Sequence, residues 1–71
     1  MPDSVYKVVE LVGTSTVSFQ DAAKAAVDMA AKSLRDLRIA EIEKLDVQIK
    51  DGKVEMYRAK LKVSFKFEGE R

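Results

Sequence analysis

Residues 37–67 read LRIAEIEKLDVQIKDGKVEMYRAKLKVSFKF, and this stretch decides the fold. On both sides of Asp51-Gly52, apolar and polar residues alternate with period two, the pattern of strands with two unlike faces. Asp-Gly between two such runs is a strong type I′ hairpin signal, because that turn needs positive φ at both central residues. With Asp51 and Gly52 as the loop, Lys50 faces Lys53 and the remaining pairs follow by counting. Ala40 and Ile42 then meet Val63 and Leu61 on one face, which Tyr57, Phe65 and Phe67 continue; a helix belongs over it. The other face carries Glu43 opposite Lys60, Glu41 opposite Lys62, Ile39 opposite Ser64, Leu45 opposite Arg58, Val47 opposite Met56 and Ile49 opposite Val54. Opposite charges directly across a pair contribute roughly 0.2–1 kcal/mol and support this register. A bulge in strands this long would shift it.

Upstream, residues 5–12 (VYKVVELV) are rich in β-branched side chains and end at Gly13-Thr14-Ser15, a turn cluster, so they read as the first strand. Ser18-Phe19-Gln20-Asp21 resembles a capping box with Asp21 in the third helical position, where a negative charge suits the positive first turn. The helix runs to about residue 34. Phe19, Ala23, Ala26, Val27, Ala30 and Leu34 form its apolar stripe, with Lys24, Asp28 and Lys32 on the opposite side. Small alanines let it lie close to a sheet at the cost of a thin core. The element order is β-α-β-β, an α+β fold, in one domain over residues 1–71.

A helix of roughly 17 residues is about 25 Å long, whereas a strand of about 13 reaches about 40 Å. The hairpin therefore outreaches its helix, and the tip cluster Leu45, Val47, Ile49, Val54 and Met56 has nothing in its own chain to pack on. An apolar patch of that kind on so small a domain marks an interface. Composition agrees, because the chain has no cysteine and no histidine. Disulfides and the common zinc sites are thereby excluded, and self-assembly is the remaining way to reinforce a chain this short.

Thirteen basic against twelve acidic residues, interspersed, do not make the one-signed stripe of a nucleic-acid binder. No apolar run approaches ~18 residues and the N-terminus has no signal-peptide pattern, so no membrane role and a cytoplasmic location are expected. Without histidine, a Gly-rich phosphate loop or carboxylates paired in a cleft, nothing points to an enzyme. Glu41 and Glu43 read as rungs of an ion-pair ladder with their cross-strand lysines. Arg58 either snorkels over its own stem or meets a carboxylate or anionic ligand across a subunit boundary. Asp46 and Glu43 are the candidate oxygen ligands for a hard cation, with Asp51 close by at the tip. Met56 reads as interface packing.

These residues also resemble a known family. Tyr6-Lys7-Val8-Val9-Glu10-Leu11-Val12-Gly13-Thr14-Ser15, then Ser18 and an Ala-rich helix, resembles the opening of the dodecins. Leu34-Arg35-Asp36-Leu37-Arg38 and Tyr57-Arg58-Ala59-Lys60-Leu61-Lys62-Val63-Ser64-Phe65-Lys66 continue the match, which covers residues 5–68. The resemblance implies a three-stranded antiparallel sheet partly wrapped around the helix and a homododecameric hollow shell. It implies a binding protein that holds flavins, or in some members coenzyme A, for storage or protection. It also implies a ring-stacking tryptophan where this chain has Ile39, and a ligand-contacting glutamine where it has Arg58. Ile39 with Tyr57-Arg58 looks most like the dodecins described as calcium-binding. The expected site is therefore an altered one at Ile39, Arg58 and Leu45, with assembly through Val47, Ile49, Val54 and Met56. Three functions follow: sequestration of a small ligand or ion such as calcium, weakened flavin binding, or a purely structural shell or adaptor.

Overall fold

The computed structural model describes residues 4–67; residues 1–3 and 68–71, the ends of the expected domain and the last position of the resemblance, lie outside it. The elements are β1 (Tyr6–Ser15), α1 (Phe19–Ser33), β2 (Leu37–Lys50) and β3 (Lys53–Lys66). All pairs are antiparallel, and the sheet order β1-β3-β2 puts the last strand in the middle. The α+β, β-α-β-β fold read from the sequence is the fold observed.

The helix begins as its cap dictates. Ser18 is extended at φ −163°, and its Oγ accepts from the Asp21 backbone N at 3.0 Å, satisfying one of the free first-turn donors. Ser15 prepares that turn by accepting from Val17 N at 2.9 Å. The buried helical face is Ala22, Ala26 and Ala30, with Ala23 and Val27 partly covered, so the stripe sits nearer Ala22 than the sequence suggested.

Strand β1 does not stop at Val12. It runs through Gly13 to Ser15, and Gly13 pairs with Ala59 at the sheet centre. A Cβ on Gly13 would lie 2.0 Å from the Ala22 carbonyl oxygen. The glycine is therefore there because helix and strand backbones touch, and not because the chain turns.

The hairpin turn matches expectation: Asp51 and Gly52 have φ of 52° and 75°, and Lys50 pairs with Lys53. The register further down is corrected by bulges. Ala40↔Val63, Ile42↔Leu61, Glu41↔Lys62, Ile39↔Ser64 and Ile49↔Val54 stand as counted. Between Ile42 and Lys44 an extra residue, Glu43, enters β2, and the next pairs become Lys44↔Lys60, Leu45↔Ala59, Asp46↔Arg58, Val47↔Tyr57 and Gln48↔Met56. Glu55 on β3 restores the count near the tip. Because side chains alternate with period two, this one-residue slip turns Leu45 and Val47 to the helix side and brings Asp46 to the outer side.

The core is Ala22, Ala26, Ala59, Leu61 and Val63, and among the described residues only Leu61 and Val63 are large and fully buried. Phe19 closes one end against Tyr57, ring centroids 5.1 Å apart and nearly edge-on. The helix packs over β1 and β3 and barely reaches β2. Ala40 and Ile42 accordingly face the helix side without being covered by it, and Ile42 is half exposed. The molecule measures 55 × 20 × 16 Å, the long axis being set by a hairpin that outruns its helix.

Candidate functional site

Two surfaces of the subunit are unlike the rest. The first is the helix-side face of β2 and the hairpin tip. Leu45 and Val47 follow Ala40 and Ile42 along one side of β2, and by alternation Ile49 and its partner Val54 continue it. Ile42, Leu45, Ile49 and Val54 are exposed, which leaves one continuous apolar stripe beside and beyond the first turn of α1. Three of the four residues expected at an assembly interface, Val47, Ile49 and Val54, lie on this stripe together with Leu45. Met56 does not: it pairs with Gln48 and shares the outer face with Arg58.

A groove on the opposite flank complements the stripe in character. It lies between the free edge of β1 and α1, has a volume of about 490 Å³, and is lined by Val9, Leu11, Met29, Ala30 and Leu34 among others. Met29 stands exposed at its rim. Nothing in the sequence reading found this groove. Its signal was the pair of edges that any three-stranded sheet with a β1-β3-β2 order must leave.

The second surface is the outer face of the sheet. Across its three strands run Val8–Ser64–Ile39, Glu10–Lys62–Glu41, Val12–Lys60–Lys44 and Thr14–Arg58–Asp46. Ile39 is exposed, as are Tyr6, Val8 and Val12 on β1. Ile39 and Arg58 do share this face, as expected, but they stand at opposite ends of the row of lysines. Leu45 is on the other side of the sheet, so the three residues read as one site are not brought together.

The charged middle of the face is internally paired. Arg58 donates from Nε to Asp46 Oδ1 at 2.7 Å and from Nη2 to Oδ2 at 3.0 Å, a bidentate fork. Glu43, the bulge residue, sits 3.0 Å from Lys62 Nζ and 3.9 Å from Lys60 Nζ, and Lys60 is also 3.9 Å from Glu10. The expected Glu43–Lys60 pair is thus present but secondary to Glu43–Lys62. Hydrogen bonding to Arg58 lowers the Asp46 pKa from its ordinary value, and hydrogen bonding to Lys62 lowers that of Glu43. Both cations move upward in turn, chiefly through the same bonds. The Asp46–Arg58 fork was missed in the sequence because an unbroken ladder puts Leu45 there. The usable signal was charge: a one-residue slip after Ile42 exchanges an apolar–cation pair for an opposite-charge pair.

For cation binding, both oxygens of Asp46 are taken by Arg58, and Glu43 is held by lysine. Among the described residues no three acidic side chains converge as a metal cluster within one subunit. Among the same residues, no helix is long and apolar enough to cross a membrane.

Comparison with known proteins places these surfaces in context. The family model described as Dodecin matches residues 5–68. The calcium dodecin of Mycobacterium tuberculosis is 43% identical over 63 residues, covering 89% of each chain. The dodecin of Thermus thermophilus is 41% identical over 64 residues, covering 90% of this chain and 93% of its own. Among solved structures, dodecin from Streptomyces coelicolor superposes with a TM-score of 0.92 at 36% identity, over 99% of this chain and 100% of its own.

Proposed function

The chain belongs to the dodecin family, and from that premise we propose that it is a non-enzymatic binding protein that works as a closed assembly, a homododecamer in the cytoplasm, sequestering a small ligand or an ion. The observation that carries this reading is the apolar stripe on which Ile42, Leu45, Ile49 and Val54 stand exposed beside the half-buried Val47. A subunit with only two large, fully buried side chains among its described residues cannot leave such a stripe in water at no cost; each buried aliphatic contributes roughly 1.5–3 kcal/mol. Neighbouring copies cover it, and repetition of one such contact under rotation closes a shell.

The ligand site of this reading lies on the outer face between Ile39 and Arg58. Ile39 offers no flat π-surface there, which disfavours tight stacking of a planar ring. The similarity to a protein named calcium dodecin supports an ion as cargo. Calcium takes six to eight oxygen ligands, and one subunit assembles no acidic cluster of three among its described residues. An ion would then be held by oxygens from more than one copy, since Asp46 and Glu43, the acids expected for it, are engaged by Arg58 and Lys62 within the subunit. A second reading, weakened flavin binding, is favoured by Tyr6, an exposed aromatic on the same face.

The test is an inventory of metal and small molecules in the protein as isolated, by native mass spectrometry before dialysis. Retained calcium or another stoichiometric ligand is the expected result, and a retained flavin would select the second reading. A shell that carries nothing would contradict both and leave a purely structural role.

A further inference from the structure

Each of the three central cations that β3 presents on the outer face has an acid beside it. Lys60 and Lys62 share Glu10 and Glu43, with three of the four possible pairs at 3.0–3.9 Å. Arg58 differs, because its partner is its own and the contact is a two-bond fork of 2.7 and 3.0 Å. We propose that Asp46 sets the specificity of the outer face: as the built-in counter-ion of Arg58, it closes the guanidinium to anionic ligands. This deepens the reading of the Ile39–Arg58 face as a ligand site and rests on it.

Three observations converge on Asp46. The first is the edge it occupies. A planar oxyanion is best met by two parallel N–H groups, and Asp46 already fills the Nε–Nη2 pair. The end-on edge keeps N–H groups, but the charge that would draw an anion to them is compensated. Secondly, Asp46 is tethered in the same hairpin, at an effective concentration of mM or above, so an anion well below that range does not displace it. The third is how Asp46 comes to be there. Were Glu43 paired in the ladder instead of bulged out of it, Leu45 would stand across from Arg58 and the arm would be free. Of the other residues beside it on the face, Thr14 and Met56 are neutral and Lys44 is cationic, so none of these takes over as counter-ion when Asp46 is removed.

Riboflavin and FMN, identical rings differing by one phosphate, serve as neutral and anionic probes, read by flavin fluorescence quenching on the assembled protein. Wild type is expected to bind the two with affinities within about threefold of each other. Asp46→Asn is expected to strengthen FMN by about tenfold or more with riboflavin unchanged. Asp46→Glu should behave as wild type, and adding Arg58→Gln to Asp46→Asn should cancel the gain. Inorganic pyrophosphate, followed on the Arg58 Nε–H resonance, provides an arm independent of the ring. It should move that resonance in Asp46→Asn at concentrations that leave wild type unmoved. If neither flavin binds any variant while the pyrophosphate result holds, the ligand-site reading fails and the role of Asp46 stands. Equal pyrophosphate response in wild type and Asp46→Asn, or riboflavin binding without an FMN gain in Asp46→Asn, would overturn the proposal.

Discussion

Gly13 and Asp46 each show how a single position is decided by what lies across from it. Gly13 is buried under Ala22, and an added Cβ would meet a backbone oxygen at 2.0 Å, which no rotamer change relieves. Gly13→Ala is therefore expected to lift the helix off the sheet and cost about 1–3 kcal/mol or more, read as a lower midpoint in denaturant unfolding. Unchanged stability would show that the close approach is not real. Asp46 is tied to Arg58, so its pKa lies below the ordinary aspartate value of 3.8. A carboxylate with a folded-state pKa below its unfolded one contributes stability in full above the unfolded value, and loses it as pH falls through the folded one. A carbon-detected titration should find Asp46 still charged at pH 3.8, and Arg58→Gln should return it to ordinary behaviour. The sequence carried the identity of both residues but not their partners. Gly13 looked like a turn because Gly-Thr-Ser usually is one, and only the helix above it reveals the other use.

The hairpin is the element where reading and structure can be compared most closely. Asp51-Gly52 fixed the turn, and the pairs beside it and from Ile39 to Ile42 came out as counted, while a further shift at the far end pairs Leu37 with Phe65. What failed was the middle, since a bulge adds a residue without leaving a composition signal, and every side chain beyond it changes face. That one residue moved Leu45 and Val47 from the outer face to the stripe and made the Asp46–Arg58 fork. Because Glu43 is the inserted residue, deleting it should preserve the pairs on both sides, including Asp46 with Arg58, while Lys62 loses its closest acid. Cross-strand NOEs between residues 46 and 58 should persist in the deletion variant; their loss would mean the bulge is needed to hold the register. The helix was read nearly to the residue, because cap chemistry at Ser18 is local. Its buried face was read less well, since alanines are hard to rank by periodicity when they occupy so many positions.

At the scale of the whole molecule, the subunit has more apolar surface than it can cover. Among the described residues two large side chains are fully buried, whereas Ile42, Leu45, Ile49 and Val54 stand open on a hairpin that projects past its helix. The need for partners was legible in the sequence, from strand and helix lengths and the absence of cysteine. The apolar surface proposed to meet them was legible only in part, because Met56 belongs to the other face and the α1–β1 groove left no pattern. Val47→Asp places a charge in the middle of the stripe, where burial without a partner is costly, and should convert the assembly to small species in size-exclusion chromatography. A fully assembled variant would move the interface elsewhere.

The central claim, that this subunit is stable only among copies of itself, is tested most directly by the mass in solution. Light scattering on the purified protein at micromolar concentration should give about 96 kDa, twelve times the 8.0 kDa chain, with no monomer in slow exchange. A folded monomer of 8.0 kDa, stable on dilution, would contradict it.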